Sequence, residues 1–147
     1  MTAPSYLRIR KDLLQRVIAA AEAAFPQECC GLLAGKNTGD GLTVTRVVPA
    51  ANVTEGRAED SFEVDPQAHF DLLRALEGSG EFVLGHYHSH PGGPARPSAT
   101  DLARAYDRGL AWVIVAVADG KAVEVLAHIL APGGGDFAEI PIEATDI

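Results

Sequence analysis

The chain is poor in the features that mark several broad classes of protein. It has only two cysteines, Cys29 and Cys30, and they are adjacent. Neighbouring side chains on an extended strand point to opposite faces, so a disulfide between them would be strained, and a zinc ribbon needs spaced pairs. A disulfide framework is therefore excluded, and buried thiols are expected. Cations are outnumbered: 12 Lys and Arg against 20 Asp and Glu give a formal charge of −8. That balance disfavours a nucleic-acid partner, whose phosphates call for clustered Lys and Arg. No apolar run approaches the roughly 20 residues that span a bilayer, so no membrane partner is expected. The opening Met-Thr-Ala-Pro-Ser-Tyr has neither the basic region nor the apolar core of a signal peptide, which makes a cytoplasmic location the expectation. Without a secretory signal, Asn52-Val53-Thr54 carries no weight as a glycosylation acceptor.

What is present describes an ordinary globular chain. With 147 residues, 47% of them hydrophobic and 22% charged, one domain is expected, large enough to bury roughly two-thirds of its unfolded surface. Leu7 and Ile9 alternate with Arg8 and Arg10 and predict a short strand. Asp12 is placed to cap a helix through about Ala24, with Leu13, Val17, Ala20 and Ala24 on one stripe and Pro26 as the stop. Cys30 to Ala34 predicts a strand ending in a turn at Gly35-Lys36-Asn37. Leu42, Val44 and Val47-Val48 predict the next, joined through Gly39-Asp40-Gly41. After a polar stretch and a short strand near 61–64, Pro66 opens a helix carrying Phe70, Leu73 and Leu76, closed by Gly78 and Gly80.

Residues 81–89 then form a strand running into Pro91-Gly92-Gly93-Pro94, an irregular loop. Ser98 opens a helix to about Arg108. The run Trp112 to Val117 is apolar on both faces and predicts a central strand. Asp119-Gly120 turns into a strand over 122–130. A glycine joint at 133–135 leads to a tail whose Phe137, Ile140 and Ile142 are expected to pack as a last strand. The fold class is a mixed α/β domain with one sheet and about three helices.

The chemistry concentrates in Gly85-His86-Tyr87-His88-Ser89-His90-Pro91, which holds three of the five histidines. On a strand, His86, His88 and His90 share a face, but at about 3.3 Å per residue the outer two stand roughly 13 Å apart. One metal with bonds of about 2.0–2.1 Å does not easily gather all three. An adjacent pair, 86/88 or 88/90, does converge. The Pro91 break puts His90 at the strand end, where ligand sites of α/β sheets open, which favours His88 and His90 and leaves His86 deeper as a supporting residue. Ser98-Ala99-Thr100-Asp101 has the pattern of a capping box, with Asp101 at its third helical position. A carboxylate fixed in a first turn is equally well placed to bind a metal. A hydrolytic centre also needs a base, and of the 20 carboxylates Glu28 stands out because it follows a proline and precedes an apolar strand, a solvated strand-end Glu being the alternative reading.

These residues resemble a known pattern. His88-Ser89-His90-Pro91, six residues, Ser98, two residues and Asp101 resembles the H-x-H-P-x₆-S-x₂-D signature of the JAMM (MPN+) metalloproteases. Pro26-Gln27-Glu28-Cys29-Cys30-Gly31-Leu32-Leu33-Ala34-Gly35 is similar to the family's first motif. Asn52-Val53 and Phe62-Glu63-Val64-Asp65-Pro66 are similar to the bacterial members. The resemblance implies a curved mixed sheet sandwiched by about three helices, a deaminase-like three-layer fold. It implies one zinc ion per chain held by His88, His90 and Asp101, with Glu28 as general base and then acid, and Ser98 hydrogen-bonding the oxyanion. It implies a single domain with its core over about 7–130 and a C-terminal tail over 131–147.

The chain has no room for the long insertions of the eukaryotic ubiquitin-chain enzymes, so it resembles the compact prokaryotic branch. That implies a peptidase or isopeptidase cutting after the C-terminal Gly-Gly of a small ubiquitin-like sulfur-carrier protein, with a homodimer as a further candidate assembly. The 91–94 loop is a candidate wall of the groove. A small-molecule amidase with the same centre and a non-catalytic scaffold are the alternatives. A zinc nucleobase deaminase fails, because no H-x-E with a downstream P-C-x-x-C occurs.

Overall fold

The computed structural model describes residues 3–103, 110–130 and 136–147. The expected end of the third helix near Arg108 and the glycine joint at 133–135 lie outside them. The elements run β1 (Leu7–Arg10), α1 (Lys11–Ala24), β2 (Cys30–Thr38), β3 (Gly41–Ala50), α2 (Pro66–Leu76), β4 (Phe82–Pro91), α3 (Ala99–Ala103), β5 (Ala111–Ala118), β6 (Lys121–Leu130), β7 (Phe137–Ile140) and β8 (Ile142–Thr145). Among the described residues no helix is long and apolar enough to cross a membrane.

The strands form one eight-stranded sheet in the order β7-β6-β5-β4-β2-β3-β1-β8. It is mixed: β1 runs parallel to β3 and β8, and β4 parallel to β5, while the other pairs are antiparallel. The outermost strands, β7 and β8, are separated in the chain only by Pro141. Two edges that close in the chain force the sheet to curl until it nearly closes. The sequence predicts one terminal strand there; the structure has two, one on each edge.

Alternation on the strands sorts side chains into two layers. Leu33, Tyr87, Val113, Val115 and Ile129 face α1, whose Leu13, Val17 and Ala21 form its buried line. On the other face Leu32 and Ala34 receive Leu72 and Leu76 of α2, and the start of α3 lies on this side, against the histidines of β4. The sheet is thus sandwiched by helices, as the sequence implies. The central-strand reading of β5 also holds, since 111–117 are buried throughout.

Local expectations fail where tertiary contacts intervene. Asp12 does not cap α1: β1 passes directly into the helix, Arg10 takes the cap position, and Asp12 sits in the first turn, paired with the Arg10 guanidinium at 2.6 Å. Gly35 is not a turn residue. It sits at a bulge where a Cβ would lie 1.9 Å from the Thr43 carbonyl oxygen, so glycine is needed there for close approach, and β2 continues to the tight turn at Gly39-Asp40. On α2, Leu72 rather than Phe70 and Leu73 meets the sheet; those two are 54% and 50% exposed. The helix starts at Pro66 as expected, and Asp65 caps it, its carboxylate accepting from Gln67 N at 3.0 Å.

Gly85 marks a second close approach, at a bulge between β2 and β4, where a Cβ would stand 1.9 Å from the Ala111 carbonyl oxygen. Backbone cannot swing aside as a side chain can. Gly85→Ala is expected to destabilise the fold by about 3 kcal/mol, read from the urea midpoint; an unchanged midpoint would refute this account of the β4–β5 contact.

Candidate active site

The histidines arrive together because β4 is central and its even-numbered residues face the α2 and α3 side. His88 Nε2 and His90 Nε2 are 3.2 Å apart. Asp101 Oδ2 lies 3.3 Å from the first and 3.1 Å from the second. Tetrahedral ligands on bonds of about 2.0–2.1 Å would stand roughly 3.3–3.4 Å apart, so this triangle has the dimensions of a metal-binding face. The donor set of two imidazoles and a carboxylate suits a metal as well. His90 Nδ1 donates to the Pro94 carbonyl at 2.8 Å, which fixes that ring's orientation and turns Nε2 toward Asp101.

Asp101 serves as cap and site residue at once. Ser98 N donates to its Oδ2 at 2.8 Å, and Asp101 N donates to Ser98 Oγ at 3.0 Å. This is the reciprocal capping box expected from the sequence. Burial would raise the Asp101 carboxyl, but hydrogen bonds from His88 and His90 outweigh it and hold the group well below the usual carboxylate range. His88, fully buried, is pushed toward its neutral form by desolvation. At His90 burial acts the same way, but the contacts with Asp101 and Pro94 prevail and raise it.

Glu28 reaches the same place from β2. The ladder pairs Cys30 with His88, so Glu28, two residues earlier, lies beyond it on the histidine face. It is buried at 5% exposure, and its Oε1 has no hydrogen-bond partner among the described residues. One ligand atom each from Glu28, His88 and His90 fall within 4.8 Å of one another. The His88–His90–Asp101 triangle is tighter, so Glu28 stands beside it as a fourth group. Burial pushes its carboxyl up to about 7; the His90 charge opposes this, while Asp101 and Asp60 add to it.

All five residues singled out in the sequence, Glu28, His88, His90, Ser98 and Asp101, thus meet in one place. His86 stays out of the triangle. Its ring packs against Trp112, Phe62 and His88 at centroid distances of 4.3, 5.3 and 5.6 Å, and burial lowers it to about 3. The cysteines separate as expected: Cys29 joins the α1 core, while Cys30 Sγ contacts the Ala51 carbonyl at 3.6 Å, and both are free thiols. The 91–94 loop does line a depression, of about 260 Å³, together with Glu28, Asp60 and His90. A second cavity of about 430 Å³ opens beside Asp101, walled by Phe62, His86 and Trp112.

Several residues make contacts here that the sequence does not foretell. Phe62 stacks on His88 with centroids 4.1 Å apart and planes 19° from parallel. Ser89 points to the opposite face, where its Oγ accepts from Cys29 N at 2.8 Å. His128 donates from Nε2 to the Ala95 carbonyl at 2.8 Å, tying down the loop before Ser98.

The family model for prokaryotic homologues of the JAB domain matches residues 10–128. The chain belongs to this family. It is 35% identical over 133 residues to the desampylase of Haloferax volcanii, covering 90% of this chain and 89% of that one. It is 31% identical over 140 residues to the CysO-cysteine peptidase of Mycobacterium tuberculosis, covering 95% and 92%. The solution structure of a Desulfitobacterium hafniense protein superposes with a TM-score of 0.82 at 31% identity, covering 96% of this chain and 94% of that one. The curled mixed sheet with its helices is therefore the JAB fold.

The raised Glu28 carboxyl has a consequence for stability. Its folded value of about 7 lies above its ordinary 4.5, so the folded chain holds the proton more tightly than the unfolded one. That contribution is complete below the ordinary value and is lost as pH rises through 7. Metal-free Glu28→Gln protein should match the unmodified chain near pH 4.5 and exceed it at pH 8 by on the order of 2 kcal/mol. Urea midpoints at the two pH values decide the point, and equal midpoints at pH 8 would contradict it.

Proposed function

We propose that this protein is a zinc-dependent peptidase that hydrolyses the bond following the C-terminal Gly-Gly of a small ubiquitin-like, sulfur-carrier type protein in the cytoplasm. The observation that carries the reading is the triangle of His88, His90 and Asp101 ligand atoms, with edges of 3.1–3.3 Å, and a buried carboxylate beside it. The names of the two relatives, a desampylase and a CysO-cysteine peptidase, support the substrate class.

In this reading His88, His90 and Asp101 hold one zinc ion. Zinc there supplies Lewis acidity, polarising the scissile carbonyl and making water acidic enough to attack near neutral pH. Glu28 takes the proton of the attacking water and returns it to the leaving amine. A carboxyl near 7 suits both tasks, because a group that must accept and then donate works best close to the operating pH. Ser98 Oγ already accepts from Asp101 N, so its own hydrogen is available for the developing oxyanion. A diglycine tail, lacking side chains, is slim enough to lie extended in the depression under the 91–94 loop.

The direct test is incubation with a ubiquitin-like carrier ending in Gly-Gly and bearing a C-terminal extension, followed by mass spectrometry. Cleavage after Gly-Gly that stops with a zinc chelator and returns with added zinc is the expected result; no cleavage by the zinc-loaded chain would refute it. Glu28→Gln should keep one zinc per chain while lowering kcat roughly 10²–10⁴-fold. Hydrolysis by the unmodified chain should fall as pH drops, with an apparent pKa at or below about 7 because a nearby cation favours the carboxylate. A flat profile from pH 5 to 8 would remove Glu28 from the base role.

A further inference from the structure

Asn52 occupies a position that the proposed chemistry does not use directly. Its side chain makes four hydrogen bonds, all to backbone groups. Nδ2 donates to the Glu28 carbonyl at 3.2 Å and to the Ser61 carbonyl at 3.1 Å. Oδ1 accepts from Thr54 N at 3.1 Å and from Glu63 N at 3.0 Å. Two N–H groups on one side and two carbonyls on the other leave only one orientation of the amide, and every one of its bonding positions toward protein is filled.

The two ends of this cross-brace matter for different reasons. One holds the backbone of Glu28, which lies beyond the β2–β4 ladder, where the first paired residue is Cys30. The other holds the segment on both sides of Phe62, whose ring lies flat on His88 at 4.1 Å. That segment returns to Asn52 through an isolated bridge with Val64 and through Val53 N donating to the Glu63 carbonyl at 2.9 Å. The Glu28 amide donates to Ala58 O at 2.6 Å, within the same loop. The loop that walls the 430 Å³ cavity and the residue that carries the base are therefore set against each other by the Asn52 side chain together with the Glu28–Ala58 backbone bond.

We infer that Asn52 is a positioning residue: it fixes the Glu28 carboxylate relative to the metal-binding face by locking the Glu28 backbone to the Phe62 segment. This rests on the hydrolytic reading of the site. It acts through Glu28, not through His88, His90 or Asp101, which are held by β4 and the Ser98 cap. Loss of the brace lets the base drift without unloading the metal. Displacements of about 1 Å in a reacting group cost on the order of 10²-fold, and mutation of supporting partners typically costs 10–100-fold.

The test uses the full chain and the extended-carrier substrate. Asn52→Ala is expected to lower kcat roughly 10–100-fold, with KM changed by less than about threefold and one zinc still bound per chain. In a Glu28→Gln background the same substitution should change the residual rate by less than about twofold, because the group it positions is already gone. In the metal-free protein, amide hydrogen exchange at Glu28 and Glu63 should quicken together. Unchanged kcat, or equal losses in both backgrounds, or zinc lost along with the rate, would overturn the assignment. Should Asn52→Ala not fold, Asn52→Asp keeps both acceptor contacts and opposes the two carbonyls, and carries the same comparison. Failure of both variants to fold would make Asn52 a structural residue instead. A Glu28→Gln chain as active as the unmodified one overturns the proposed function itself; a fully active Asn52→Ala chain beside an inactive Glu28→Gln chain overturns only the role of Asn52.

Discussion

Three atoms that carry lone pairs, His88 Nε2, His90 Nε2 and Asp101 Oδ2, are held within 3.3 Å of one another. Left to themselves such groups repel unless a proton or a cation lies among them. Hydrogen bonds from the two rings to Asp101 supply the proton here, and the fold holds the groups in place, with the Pro94 carbonyl orienting one ring, Phe62 lying on the other and two backbone hydrogen bonds across the helix cap. A fourth acceptor, the Glu28 carboxylate, is buried beside them without a protein partner for Oε1. Much of the local architecture makes sense as the scaffold that tolerates this crowding.

The scaffold works because β4 has two faces with different duties. Tyr87 and Ser89 look toward α1, with the Tyr87 ring over Gly31 and Ser89 gripping the backbone of Cys29. His86, His88 and His90 look the other way. The strand is anchored by apolar packing on one side so that it can present polar groups on the other. Buried polar groups without partners are costly; among the described residues they fall at Glu28, His86 and His88 on the histidine face and at the Tyr87 hydroxyl on the other.

The alternating histidines, the proline that follows them and the carboxylate one short loop later are close in sequence, so strand geometry narrows the ligands to an adjacent histidine pair, favouring 88/90, and capping places Ser98 and Asp101 in a first turn, while the motif makes His88, His90 and Asp101 the ligand set. Glu28 stands out locally at the entry to an apolar strand, but its motif is what makes it the base, since nothing in its neighbourhood says which distant strand it will meet. Asn52 and Phe62 were legible as motif residues but not as contacts: their partners are backbone atoms or a ring at long range, and such bonds impose no spacing. Local rules misplaced Asp12, Gly35 and the α2 stripe for a related reason. Each was decided by what the neighbouring strand or helix allowed, whether a missing linker, a carbonyl at close range or the rotation of α2 about its axis. The single terminal strand expected from Phe137, Ile140 and Ile142 is two strands on opposite edges, because an edge has no signature until the whole order of the sheet is known.

That order has a bearing on how the molecule comes to be made. Leu7, almost the first residue with a place in the sheet, pairs with Ile142 on its outer side, and its amide bonds to the carbonyl of Pro141. The outer partner of the first strand is therefore synthesised after every other strand of the described sheet. Contacts so distant along the chain are slow to form, and until they do β1 is an open edge with unpaired amides. During translation the nascent protein can build its hairpins and the β2–β4 ladder, but it must wait for the stretch around Pro141 before β6 and β1 gain their outer partners. A lesion in that stretch, far from any catalytic group, would be felt as poor yield and self-association rather than as slow turnover.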